Sequence, residues 1–128
     1  NFDFEAVVYP GDDDNFGLVF AADPHDSART HYSISMSYQN ARVVLFRRYW
    51  GVKTTLKTAT VTKSLIPYRK KKTIKLSARD GKYDLYVEGT LIFSYTDPKP
   101  LPRGVVGFYS SYHAGLRIYS TKLTKIPL

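Results

Sequence analysis

Residues 31–38, His31-Tyr32-Ser33-Ile34-Ser35-Met36-Ser37-Tyr38, decide the fold class. Tyr32, Ile34, Met36 and Tyr38 alternate with Ser33, Ser35 and Ser37, so one face is apolar and the other hydroxylated. Successive side chains of a strand point to opposite faces, and this period of two is what a half-buried strand requires. The pattern recurs on either side of this stretch. Phe2, Phe4, Ala6 and Val8 alternate with Asp3 and Glu5, and Ile74 and Leu76 sit between Thr73, Lys75 and Ser77. Tyr83, Leu85 and Val87 alternate with Lys82 and Asp84, and Leu116 and Ile118 flank Arg117. No window repeats with a helical period. Strands are expected near 2–9, 17–22, 30–38, 41–49, 53–60, 73–79, 82–87, 90–95, 104–109 and 115–124.

Turn dipeptides punctuate these runs about every ten residues, the spacing of sandwiches and barrels. Asp80-Gly81 lies directly between two alternating runs. It predicts a two-residue hairpin, because a type I′ turn needs positive φ at both central positions. Glu88-Gly89 is expected to close the next hairpin, and Trp50-Gly51 marks another turn. The proline-rich stretch 97–102 reads as a loop inside the domain, since alternation resumes after it.

Composition agrees. The 128 residues suffice for one domain, 1–128, with a real core. Tyr and Phe, 11 and 7 of them, favour strands over helices. No apolar run approaches the roughly 20 residues of a membrane-spanning helix. No secretory signal opens the chain, and its start at Asn1 suggests a piece excised from a larger protein. With no cysteine there is neither a disulfide scaffold nor a thiolate zinc site. The net charge of +8 attracts polyanions such as nucleic acid, anionic lipid or acidic polysaccharide. Nucleic acid is the least supported of these, for want of a recognition helix or an RNA-binding aromatic signature.

Three constellations stand out. Asp12, Asp13 and Asp14 cluster in one loop, where they form either a calcium site or a solvated turn; calcium is the one cofactor the chain suggests. Arg69, Lys70, Lys71 and Lys72 form a basic run leading into a strand. It is either a patch for a sulfated glycan or protein partner, or a solvated turn that discourages edge-to-edge pairing. Trp50, beside Tyr49 and Gly51, and Tyr109, Tyr112 and His113 around Ser110-Ser111, place aromatics at strand ends next to small polar residues. A sugar ring packs its C–H face on such a platform; the competing reading is ordinary core or rim packing. No complete catalytic motif is present. Glu5 and Glu88 are far apart, and neither H-E-x-x-H nor G-x-S-x-G occurs.

The strings GLVFAAD (17–23), ARVVLFRRYWG (41–51), DGKYDLYVEGTLIFSYTD (80–97) and RGVVGFYSSYHAGLRIY (103–119), in that order, resemble the concanavalin A-like lectin/glucanase superfamily. Within it they are most like the levan-binding carbohydrate-binding modules of bacterial levanases and the 3-keto-disaccharide hydrolase domain. The resemblance implies an all-β fold, an antiparallel two-sheet β-sandwich of the jelly-roll kind, often preceded by one further strand. It places the family aspartate on Asp23 and a Trp-Asp pair on Tyr112 and His113. The family arginine falls on Ala21 and is lost, leaving Arg117, Arg47 or Arg29 to replace it. The resulting expectation is a non-catalytic, extracellular or cell-surface lectin-like module. Carbohydrate would be bound through Asp23, Trp50, Tyr112, His113 and Arg117. The alternative is an adhesion domain using the basic run. Glycoside hydrolysis through Glu5 or Glu88 is a distant third.

Overall fold

Strands form where alternation places them. The computed structural model describes residues 1–11, 15–23, 25, 29–66, 68–102, 104–111 and 115–126. Its strands are β1 (Phe2–Pro10), β2 (Asn15–Ala22), β3 (His31–Ser37), β4 (Arg42–Tyr49) and β5 (Val52–Thr60), then β6 (Lys72–Arg79), β7 (Lys82–Val87), β8 (Thr90–Thr96), β9 (Val105–Ser111) and β10 (Leu116–Lys125). A single 3-10 turn, Lys63–Leu65, interrupts them among the described residues. Each coincides with an expected strand to within two residues at either end.

The strands pair into two antiparallel sheets, ordered β10-β1-β6-β7-β8 and β5-β4-β3-β2-β9. Their inner faces make one core. Phe4, Ala6, Val8, Ile74, Leu76 and Leu85 of the first sheet meet Phe16, Leu18, Phe20, Tyr32, Ile34, Met36, Val43 and Leu45 of the second. Alternating strands from both sheets bury their apolar faces against each other, which is how a sandwich is held together. Tyr38 continues the β3 pattern and stacks on Tyr68, ring centroids 4.3 Å apart. Along β10, Ile118 and Leu123 lie opposite the inward-facing Val8 and Phe4 yet stay half exposed.

Three two-residue turns have positive φ at both positions: Trp50-Gly51 (50° and 84°), Asp80-Gly81 (49° and 81°) and Glu88-Gly89 (49° and 77°). These are the I′ hairpins, whose twist matches that of the flanking strands. Two alanine substitutions separate backbone cost from crowding. A Cβ at Gly89 meets nothing within 4 Å, whereas one at Gly81 lies 3.0 Å from the Asp97 carbonyl oxygen and 3.2 Å from the Pro100 ring. Gly89→Ala is therefore expected to cost about 1 kcal/mol, the left-handed penalty alone. Gly81→Ala should cost clearly more in the same urea denaturation series; equal losses would contradict this packing.

The 97–102 loop is fastened over one end of the sandwich by a buried polar cluster. Asp97, 3% exposed, accepts hydrogen bonds from the Tyr32 hydroxyl at 2.6 Å and from Arg47 at 3.0 Å. Its second oxygen accepts the Lys99 N–H at 2.9 Å, and the Leu101 N–H donates to the Tyr32 hydroxyl at 3.0 Å. Burial, reinforced by the hydrogen bond to Asp97, pushes the Tyr32 phenol far above its ordinary pKa.

Candidate functional site

The outer face of the second sheet follows from register. One cross-strand row runs Tyr109 (β9), Gly17 (β2), Ser35 (β3), Val44 (β4) and Thr58 (β5). The next runs Gly107, Val19, Ser33, Phe46 and Thr55. Farther along, His31, Arg48 and Lys53 share a row, as do Ser37, Arg42 and Thr60 towards the opposite end. Gly17, Gly107, Ser33 and Ser35, none of which carries more than a hydroxymethyl group, keep the middle of this face low around Val19.

Tyr109 lies across that floor because Gly17 has no side chain. A Cβ built on Gly17 would stand 3.1 Å from the Tyr109 ring and 1.6 Å from the Ile34 carbonyl oxygen, so no other residue fits. The ring spans β2, and its hydroxyl reaches towards Ser35 on β3. Burial pushes the Tyr109 phenol pKa up, with Ser35 acting against it. Beyond the serines, Phe46 carries the Lys53 ammonium 4.0 Å from its ring centroid. Beside Tyr109 the floor is open, since a Cβ on Gly107 would meet nothing within 4 Å. An aromatic ring beside hydroxyls and open space suits a ligand with an apolar face and polar edges.

The charges carried by the strands of this sheet have one sign. The five strands of the second sheet contain Arg42, Arg47, Arg48, Lys53 and Lys57 and neither Asp nor Glu. In the first sheet the signs are mixed. Asp3 pairs with Arg79 at 2.9 Å and with Lys75 at 3.9 Å, and accepts the Ser77 hydroxyl at 2.8 Å. Burial acts to raise the Asp3 pKa, but Ser77, Arg79 and Lys75 outweigh it and hold the carboxyl below its ordinary value. Glu5 lies opposite Lys75 and Lys122 on the outer face of this first sheet. Glu88 accepts the Thr73 N–H at 2.6 Å within its hairpin. Neither glutamate belongs to the face that carries Tyr109.

The residues singled out in the sequence are divided among three places. Asp23 and Trp50 come together at one end of the second sheet, both joined to Thr30. The Asp23 N–H donates to the Thr30 carbonyl at 3.1 Å, and the Trp50 N–H to the Thr30 hydroxyl at 3.4 Å. Trp50 is 62% exposed, with the Arg29 guanidinium 5.5 Å from its ring centroid. An Asp23 oxygen accepts the His25 N–H at 2.8 Å. Arg117 is elsewhere, on β10 of the first sheet, 5.9 Å from the Tyr9 ring centroid. Tyr112, His113, Asp12, Asp13 and Asp14 lie outside the described residues.

The basic run leads into β6, a strand with partners on both sides, so it protects no sheet edge. Lys71 sits 4.0 Å from the Tyr119 ring centroid, Arg69 sits 5.1 Å from that of Tyr68, Lys72 donates to the Ser64 carbonyl, and Lys70 is exposed. Among the described residues, no group of three or more His, Asp or Glu side chains is placed to hold a metal ion. Of the arginines considered as substitutes for the one lost at Ala21, Arg47 is bound to Asp97 and Arg117 is on the other sheet. Arg48 and Arg42 occupy the Tyr109 face instead, and the alternation Val43, Leu45, Arg47 in β4 already carries that information.

This architecture is the concanavalin A-like jelly roll. A carbohydrate-binding module, CBM66, from Bacillus subtilis has it at a TM-score of 0.80 and 17% identity, over 97% of this chain and 74% of that one. Galectin LEC-6 from Caenorhabditis elegans has it at 0.76 and 12% identity, over 97% and 82%. A GH43 protein from Bacillus licheniformis matches at 0.66 and 13% identity, over 98% of this chain but only 27% of that one. By sequence, the chain belongs to the family described as a domain of unknown function, DUF6250, which it matches over residues 23–118. No curated protein sequence matches it significantly.

Proposed function

We propose that the chain is a non-catalytic carbohydrate-binding module of a larger extracellular protein, and that sugar lies on the outer face of the second sheet. The observation that carries this is Tyr109, whose ring occupies the space over Gly17 beside Ser33, Ser35 and Gly107. A pyranose or furanose packs its C–H face on the ring, and Ser33 and Ser35 offer hydroxyls to its edge. The fold shared with a carbohydrate-binding module and galectins supports the reading. So does the lack of carboxylates in the strands of that sheet, since glycoside hydrolysis needs a pair of them flanking the bond. Trp50 and Asp23 extend the surface at one end. Few polar contacts, each displacing water, make single-site binding weak, and tethering within a larger protein compensates for that.

Affinity electrophoresis and calorimetry against levan, β-glucan, polygalacturonate, alginate and sulfated glycans test this. Retention by at least one polymer, with no new reducing ends on prolonged incubation, is expected. A folded chain that binds none of them, or one that cleaves its ligand, overturns the reading.

A further inference from the structure

We propose that the glycan taken by the Tyr109 face is anionic, carrying uronate carboxylates or sulfate esters. This rests on the preceding reading of the site and specifies its ligand. The three arginines of β4 are divided by the pleat. Arg47 faces inward to Asp97 at 3.0 Å, while Arg42 and Arg48 share the outward parity of Val44 and Phe46. Six residues of strand separate Arg42 from Arg48, about 20 Å, so one stands towards each end of the low floor. Arg42 is exposed and has no partner among the described residues. Arg48 uses one N–H on the Gly51 carbonyl at 3.1 Å and keeps its other donors. Lys53, above Phe46, is a third cation, and no strand of this sheet supplies an acid to neutralise any of them.

A neutral polysaccharide would lay hydroxyls against these cations and displace their water for little return. Carboxylate and sulfate oxygens accept two parallel N–H bonds from a guanidinium, shorter and stronger than hydroxyl contacts. The contrast with the first sheet matters, because there Arg79 and Lys75 already have Asp3. Strands without an acid, bearing arginines towards both ends of a hydroxylated floor, fit a polymer whose charges repeat along its length.

The test compares polygalacturonate, alginate, heparin and chondroitin sulfate with levan, β-glucan and carboxyl-reduced polygalacturonate. It uses the full chain, an Arg42→Ala/Arg48→Ala variant, and a variant with Arg69, Lys70, Lys71 and Lys72 all changed to Ala. At least one anionic polymer should bind about tenfold or more tighter than every neutral one. That binding should fall steeply between low salt and about 0.5 M salt. It should drop about tenfold in the Arg42/Arg48 variant and less than about twofold in the basic-run variant. Uronate and sulfate polymers then identify which anion is read. Neutral polymers binding as well as anionic ones overturn the proposal and leave the sugar site standing. Loss in the basic-run variant with none in the Arg42/Arg48 variant also overturns it. No binding to any polymer removes the sugar reading itself.

Discussion

Asp97→Ala is expected to lower stability by about 3–5 kcal/mol, because it removes a buried carboxylate that accepts from three donors, the Tyr32 hydroxyl, the Lys99 N–H and the partly exposed Arg47. Asp97 is the carboxylate paired with Arg47, and it also holds the Tyr32 hydroxyl and the Lys99 N–H. Its removal leaves a guanidinium and a phenol at the end of the core without their acceptor. The loop carrying Pro100 and Leu101 loses its fastening at the same time. Against a total of about 5–15 kcal/mol for a domain, that is a large fraction. Tyr32→Phe deletes two hydrogen bonds, the one donated to Asp97 and the one accepted from the Leu101 N–H, while keeping the ring stacked on Phe20 at 4.9 Å, and should cost about 2 kcal/mol. Urea unfolding followed by fluorescence gives both, at unchanged m-value. Equal effects of the two substitutions would mean that Asp97 is not the centre of the cluster.

Tyr109→Ala should weaken glycan binding by about 2 kcal/mol, close to thirtyfold in Kd, as expected when a central aromatic anchor is truncated. The Tyr109 ring is the flat surface that covers Gly17 on the low floor, whereas the Phe46 ring on the same face lies under the Lys53 ammonium. Tyr109→Phe keeps the ring and should retain most of the affinity. Trp50→Ala should have a smaller effect, because Trp50 stands at the end of the sheet rather than over its floor. Calorimetry with the polymer that retains the unchanged chain decides among these. A Trp50 effect larger than that of Tyr109 would move the site to the rim.

The strands were legible because their physics is local. Alternation identifies a half-buried strand from its own residues, and Asp80-Gly81 and Glu88-Gly89 announce I′ turns by needing positive φ. The site was legible only in fragments. Tyr109 meets Gly17 and Ser35 through pairings between distant segments, β9 with β2 and β2 with β3, and no local pattern encodes which strands become neighbours. Gly17 looks like any strand glycine until the Ile34 carbonyl and the Tyr109 ring are seen occupying its side-chain space. Arg47 and Arg48 are adjacent in sequence, yet the pleat sends one to Asp97 and the other to the open face. The attraction of the basic run came from its density, but those residues surround the entry to β6, away from the acid-free floor. Arg117, expected to stand in for the arginine lost at Ala21, lies on a strand of the other sheet.

The central claim is that ligand lies on the outer face of the second sheet. Backbone amide shifts of the isotope-labelled chain, titrated with oligosaccharides of the polymer it retains, test it most directly. The perturbed amides should cluster at Gly17, Ser33, Ser35, Phe46, Gly107 and Tyr109. Perturbations clustered instead on the first sheet, around Glu5, Lys75 and Tyr86, or on the Arg69–Lys72 run, would contradict it.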